Sequence, residues 1–139
     1  MDWLKRDGRS LGDPGKNRWC GDFVETCIRM GLPGEPTLGA LGTNPCRARN
    51  WLLFGKETNP VPGAVLIFER GSGGHVGFAV GQDDANFYVL GGNQSDAVTI
   101  ASIAKSRLFG ARWPASFPPR LQRLPTMKPG EFLTTTNEI

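Results

Sequence analysis

Cys20-Gly21-Asp22-Phe23-Val24-Glu25-Thr26-Cys27-Ile28-Arg29-Met30-Gly31 is the stretch on which the fold turns. Cys20, Phe23, Val24, Cys27 and Ile28 recur at the i, i+3, i+4, i+7, i+8 spacing that lines one face of a buried α-helix. Gly31 can end the helix in the left-handed conformation, and Pro33 blocks its continuation. Upstream, Asp13-Pro14-Gly15-Lys16-Asn17 reads as the loop that leads into it.

Outward from this helix the periodicity changes. After a Gly/Pro-rich connection from Leu32 to Thr43, Asn44-Pro45 predicts an N-cap followed by proline at the first helical position. The second helix is expected to run through Trp51 and stop near Gly55. Beyond the Pro62-Gly63 turn the segments read as strands: Ala64–Phe68, His75–Val80, Phe87–Leu90, Ala97–Ile100 and Ala111–Trp113. Helices followed by hairpin-linked strands describe an α+β domain, with N-terminal helices packed on an antiparallel sheet of about five strands. One domain is expected over residues 1–114, with its core at 19–114. Residues 115–139, with Pro118, Pro119, Pro125 and Pro129, read as a tail that partly wraps and partly frays toward Ile139.

Composition narrows the class. The 139 residues suffice for one real core, and four tryptophans and eight phenylalanines argue for a globule. The formal net charge is +3, with the Lys and Arg scattered. A nucleic-acid binder would need a basic stripe or a recognisable stacking module, and neither is visible. The mild positive bias suits weak attraction to an anionic polymer such as a cell wall. Three cysteines at 20, 27 and 46 match no zinc pattern and cannot all pair within the chain, so reduced thiols are expected. No apolar run approaches the ~18 residues of a membrane span, and the opening residues MDWLKRDGRS lack a signal-peptide core.

Three residues carry candidate chemistry. Cys20 opens the amphipathic pattern, and a helix N-terminus favours thiolate there. Gly21 leaves room for a carbonyl to approach the first-turn N–H groups, an oxyanion site. Read alone, Cys20 fits better as a small apolar residue at a helix start. His75 is the single histidine, at a strand start after Gly71-Ser72-Gly73-Gly74, whose lack of side chains leaves its ring accessible. A helix-start cysteine and a strand-start histidine form the arrangement of thiol hydrolases. Asn93, in Gly91-Gly92-Asn93-Gln94, lies near the same sheet end if the strands pair as neighbours. Its amide oxygen would orient the imidazole. Gly-Gly-Asn is also ordinary turn chemistry, and spacing does not separate the two readings.

At these residues the sequence resembles a known family. Trp19-Cys20-Gly21-Asp22-Phe23-Val24, Gly74-His75-Val76-Gly77-Phe78 and Gly91-Gly92-Asn93-Gln94-Ser95-Asp96 are similar to blocks of CHAP enzymes (cysteine, histidine-dependent amidohydrolase/peptidase), a group close to the NlpC-type endopeptidases. Ala48-Arg49-Asn50-Trp51-Leu52, Gly55, Pro62-Gly63 and Arg112-Trp113-Pro114 resemble lesser landmarks of a phage and bacterial branch. The resemblance implies a papain-like fold and hydrolysis of amide or peptide bonds in peptidoglycan. It makes Cys20 the nucleophile, His75 the base and Asn93 the orienting residue. Trp19, Gly21, Gly74 and Gln94 are the candidate substrate-binding residues. Gly91 stands where many members carry a glutamate, and Asp7 and Asp13 are too few for the calcium site of some members, so no metal and no cofactor are expected.

The expected protein is therefore a monomeric peptidoglycan hydrolase of the endolysin type, an amidase or endopeptidase. It would be made in a host cytoplasm without a signal peptide, released by a holin, and active in the periplasm or cell wall. The alternatives are an exported cell-wall toxin with an immunity partner, and a non-catalytic phage structural or binding module of the same fold.

Overall fold

A computed structural model describes residues 20–39, 41–71, 73–94 and 97–128, with the backbone alone at 93, 94 and 97. Helix α1 spans Cys20–Gly31, with Asp22 in its first turn and Arg29 in its last, each complementing the helix dipole. Its apolar stripe puts Phe23, Val24 and Ile28 into the core, as the spacing predicts. The opposite side is covered as well. Glu25, fully buried, accepts from the Thr37 hydroxyl at 2.9 Å and the Gly39 N–H at 3.1 Å.

The expected second α-helix is instead a 3₁₀ helix, Ala48–Leu53. Asn44 does not cap it: its Oδ1 accepts from the Cys46 N–H at 2.9 Å, closing a local turn. The Trp51 indole N–H then donates to the Pro45 carbonyl at 2.9 Å, tying the tight turn to the loop before it. Gly55, at φ 54°, redirects the chain, and an added Cβ there would meet the Trp113 carbonyl at 2.0 Å.

Six strands follow: β1 (Lys56–Glu57), β2 (Val65–Arg70), β3 (Gly73–Gln82), β4 (Asn86–Gln94), β5 (Ala97–Ala104) and β6 (Leu108–Trp113). They form one antiparallel sheet in the order β1-β6-β2-β3-β4-β5. The extra strand is β1, a two-residue polar edge too short for a period to register. Central strand β2 explains the unbroken apolar run: Val65 and Ile67 join the cluster under α1, while Ala64, Leu66 and Phe68 join a second cluster with Val89, Ala111, Trp113 and Leu124. Both faces of the sheet are thus packed.

As far as it is described, the tail lies against the sheet. Leu124 enters the second cluster, and the Gln82 and Pro125–Met127 backbones exchange hydrogen bonds of 3.0 and 2.8 Å. The expected fraying toward Ile139 falls outside the described residues.

Candidate active site

β2 runs beside β3 from the Arg70↔Gly73 pair to Val65↔Phe78. β4 joins β3 only from Phe78↔Leu90 onward, then follows β5 through Gly91↔Thr99 to Gln94↔Ala97 across an irregularity. Near His75 and Val76 the third and fourth strands therefore part. Backbone N–H groups alternate sides along a strand, and Ala79 donates toward β2, to the Ala64 carbonyl at 2.8 Å. The Val76 N–H, of opposite parity, points into the gap that β4 vacates.

The Cys20 sulfur fills that gap. It accepts the Val76 N–H, and the Gly21 and Cys20 backbone N–H groups also face it. Cys20 is 1% exposed, in one cluster with Val76. Burial pushes its thiol above the ordinary value. The Val76 and Gly21 N–H groups, the Arg70 guanidinium and its own N–H pull the other way without reversing the shift. Burial therefore works against the thiolate that a helix start favours.

His75, 3% exposed, pairs across the sheet with Phe68 and is the residue immediately before the N–H that holds the sulfur. The structure thus brings Cys20 to the His75–Val76 step. Asn93 continues β4 past the parting point, so its backbone lies on the strand that borders the gap. The side chains of Asn93 and Gln94, and all of Trp19, fall outside the described residues.

For two glycines the structure replaces the expected reason. The space beside Gly21 is not open to a substrate carbonyl: an added Cβ would sit 1.8 Å from the Pro45 carbonyl oxygen. Gly21 lets α1 dock on the Pro45–Trp51 turn, while its N–H still serves the sulfur. Gly74 is covered by the Arg49 and Ala48 side chains, at 3.2 and 3.4 Å from where its Cβ would stand. Arg49 reaches over it to donate twice to the Gly73 carbonyl, at 3.0 and 3.1 Å.

Sequence reasoning missed Arg70. It ends β2 and its charge reaches the Cys20 sulfur, yet nothing in the pattern separates it from any other exposed arginine. Cys27 is half-buried, with its thiol raised to about 11 by burial, and Cys46 is also half-buried. Among the described residues no group of three or more His, Cys, Asp or Glu stands ready to hold a metal. Asp7 and Asp13 fall outside them. No helix among the described residues is long and apolar enough to cross a membrane.

One α-helix carrying Cys20 and an antiparallel sheet carrying His75 make this an α+β domain. A family model for the CHAP domain matches residues 12–93, a span that contains Cys20 and His75 and ends on Asn93. The chain belongs to the CHAP family, whose members are typically cysteine-dependent amidases or peptidases. Family membership implies a peptidoglycan-hydrolase type of function. No match was found among curated proteins.

Proposed function

We propose that this protein cleaves an amide bond of peptidoglycan with Cys20 as nucleophile, His75 as general base and Asn93 as the residue that orients the imidazole. The observation that carries the reading is the seat of the Cys20 sulfur at the His75–Val76 step, met by the Val76 and Gly21 N–H groups. Donors facing the sulfur from Cys20 and Gly21 support a papain-like placement of the cysteine at a helix start, where N–H groups are not used within the helix.

His75 takes the thiol proton as attack begins, or already holds it as an ion pair. The sulfur then forms a bond to the substrate carbonyl carbon, and the Cys20 backbone N–H supplies a dipole for the oxyanion. Collapse breaks the C–N bond, the leaving amine takes the proton from His75, and water hydrolyses the thioester to release acid and thiol.

The biological setting we propose is a phage endolysin released by a holin, on the resemblance of the Ala48–Leu52 and Arg112–Pro114 landmarks to the phage branch. The test is mass spectrometry of products from purified peptidoglycan treated with wild type and with Cys20→Ala. New amine and carboxylate termini that need Cys20 support the proposal. Equal products from both proteins refute it.

A further inference from the structure

On the far side of His75 from the Val76 N–H step lies a second feature that the mechanism does not use. A cavity of about 230 Å³ is lined by Phe68, Glu69, Arg70, His75 and Arg107, among others. At ~30 Å³ per water its volume is that of about eight waters, enough for an acid group and the carbons that carry it.

Its walls are chemically divided. Phe68 is fully buried and forms an apolar floor with Ala101 and Ile103. Its charged lining residues are two arginines, Arg70 and Arg107, and one glutamate, Glu69. Arg70 and Arg107 are exposed, and among the described residues neither guanidinium has an ion-pair partner. Arg107 is anchored rather than free to swing, because its Nε donates to the Glu69 carbonyl at 3.0 Å. That bond leaves its two terminal nitrogens to bind elsewhere. Strand alternation puts Glu69 out of phase with Phe68 and Arg70, so its carbonyl, more than its carboxylate, belongs to the cavity. The Arg70 charge registers at the Cys20 sulfur, so the cavity and the nucleophile lie within electrostatic reach of each other.

We infer that this cavity, with His75 in its lining, is a subsite for a carboxylate on the substrate peptide, gripped by Arg70 and Arg107. The inference rests on the hydrolase reading above, and it names what that reading leaves open: an acidic stem peptide rather than an amidated one. Arginine pairs carboxylates through two parallel N–H groups, which supplies direction as well as charge.

The probes are a synthetic stem tetrapeptide with free carboxylates and the same peptide with every carboxyl amidated. Binding of each is measured by calorimetry to Cys20→Ala, so that no turnover intervenes. The free-carboxylate peptide is expected to bind ~10–100-fold tighter, the range for charge-assisted hydrogen bonds. Arg70→Gln and Arg107→Gln, each in the Cys20→Ala background and checked by thermal melting, should each remove most of that preference. Equal binding of the two peptides, binding of neither, or a preference that survives both substitutions overturns the subsite. Hydrolysis of purified peptidoglycan by wild type is scored separately. If hydrolysis is absent while the arginine-dependent preference holds, the subsite stands and the hydrolase reading falls.

Discussion

The backbone N–H of Val76 donates to the sulfur of Cys20 at the point where β4 leaves β3. A strand parting from its neighbour exposes unpaired backbone groups, and here a thiol satisfies one of them. The same seat is dry, which raises the thiol pKa and lowers the thiolate fraction at neutral pH. Iodoacetamide should therefore alkylate Cys20 slowly at pH 7 and faster as pH rises, with an apparent pKa above that of an exposed cysteine. Arg70→Gln should shift that profile further up, since the guanidinium charge favours thiolate. Peptide mapping across a pH series gives both values, and rapid alkylation of Cys20 at pH 6 would contradict the account.

Cys20→Ala should abolish hydrolysis and cost only ~1–2 kcal/mol of stability, because one small buried group leaves the α1 cluster. His75→Ala should approach the same inactivity, as the sequence holds no second imidazole. Asn93→Ala should lose less, roughly 10–1,000-fold in kcat, since orientation is part of the ~10²–10⁴-fold that general base catalysis contributes. Asn93→Asp should fall less far, because a carboxylate still accepts from the imidazole. The measurement is kcat on one peptidoglycan substrate, with circular dichroism for each variant. Full activity in a folded Asn93→Ala protein would leave Gly-Gly-Asn as a turn.

Gly21→Ala tests why the helix start is so tightly seated. The new methyl would meet a backbone oxygen, that of Pro45, and beside it the Trp51 indole nitrogen at 3.1 Å, which is itself bonded to Pro45. None of these atoms can swing aside as a flexible side chain would. The expected loss is about 3 kcal/mol, at the upper end of the range for overpacking. Urea denaturation measures it, and a loss below about 0.5 kcal/mol would mean the turn yields freely.

The helix was legible because its apolar face repeats over three turns, and the central strands because each is bounded by turn residues. Other features were hidden for physical reasons. Asn44-Pro45 carries the chemistry of a helix start, but the Trp51–Pro45 bond favours a compact 3₁₀ turn that composition does not announce. Asp22 complements the helix dipole and is nonetheless 1% exposed, and Glu25 is buried beneath the Thr37–Gly39 segment. An amphipathic pattern shows which face meets the core and says nothing about loops laid over the other face. The order of chemical residues along the chain pointed to Cys20 and His75. The parting of β3 and β4 that seats the sulfur is a register event, with no local sequence mark.

Asp83 supplies a pH test away from the site. Its carboxylate accepts from the Tyr88 hydroxyl at 2.6 Å and from the Ala85 and Asn86 N–H groups at 2.9 and 2.7 Å. These bonds, that of Tyr88 foremost, hold its pKa down to about 2. A carboxyl depressed on folding contributes stability above its unfolded pKa of ~3.9 and loses it as pH falls toward the folded value. Asp83→Asn should lower Tm at pH 7, with the gap to wild type closing between about pH 4 and pH 2. A gap that is constant across that window would assign the effect to geometry instead of charge.

The tail beyond Pro114 should behave as part of the domain. Glu35 accepts from the Ala115 N–H at 3.0 Å and from the Ser116 hydroxyl, and the Trp113 indole donates to the Pro118 carbonyl at 3.0 Å. Leu124 is 4% exposed among the residues of the second cluster, and Met127 packs where a side chain on Gly81 would stand. Removing these groups uncovers apolar surface of the sheet and strips a buried glutamate of two donors. Leu124→Ala should therefore cost ~2–4 kcal/mol as a large-to-small change in a packed site. Ser116→Ala should cost ~1–3 kcal/mol through the carboxylate oxygen it deprives. A chain ending after Pro114 should lose more than either and, if it still folds, unfold with a smaller urea m-value, because less surface is buried to begin with. Equilibrium urea curves for the three variants decide the point. A truncated chain as stable as the full one would make the tail an appendage lying on a finished core.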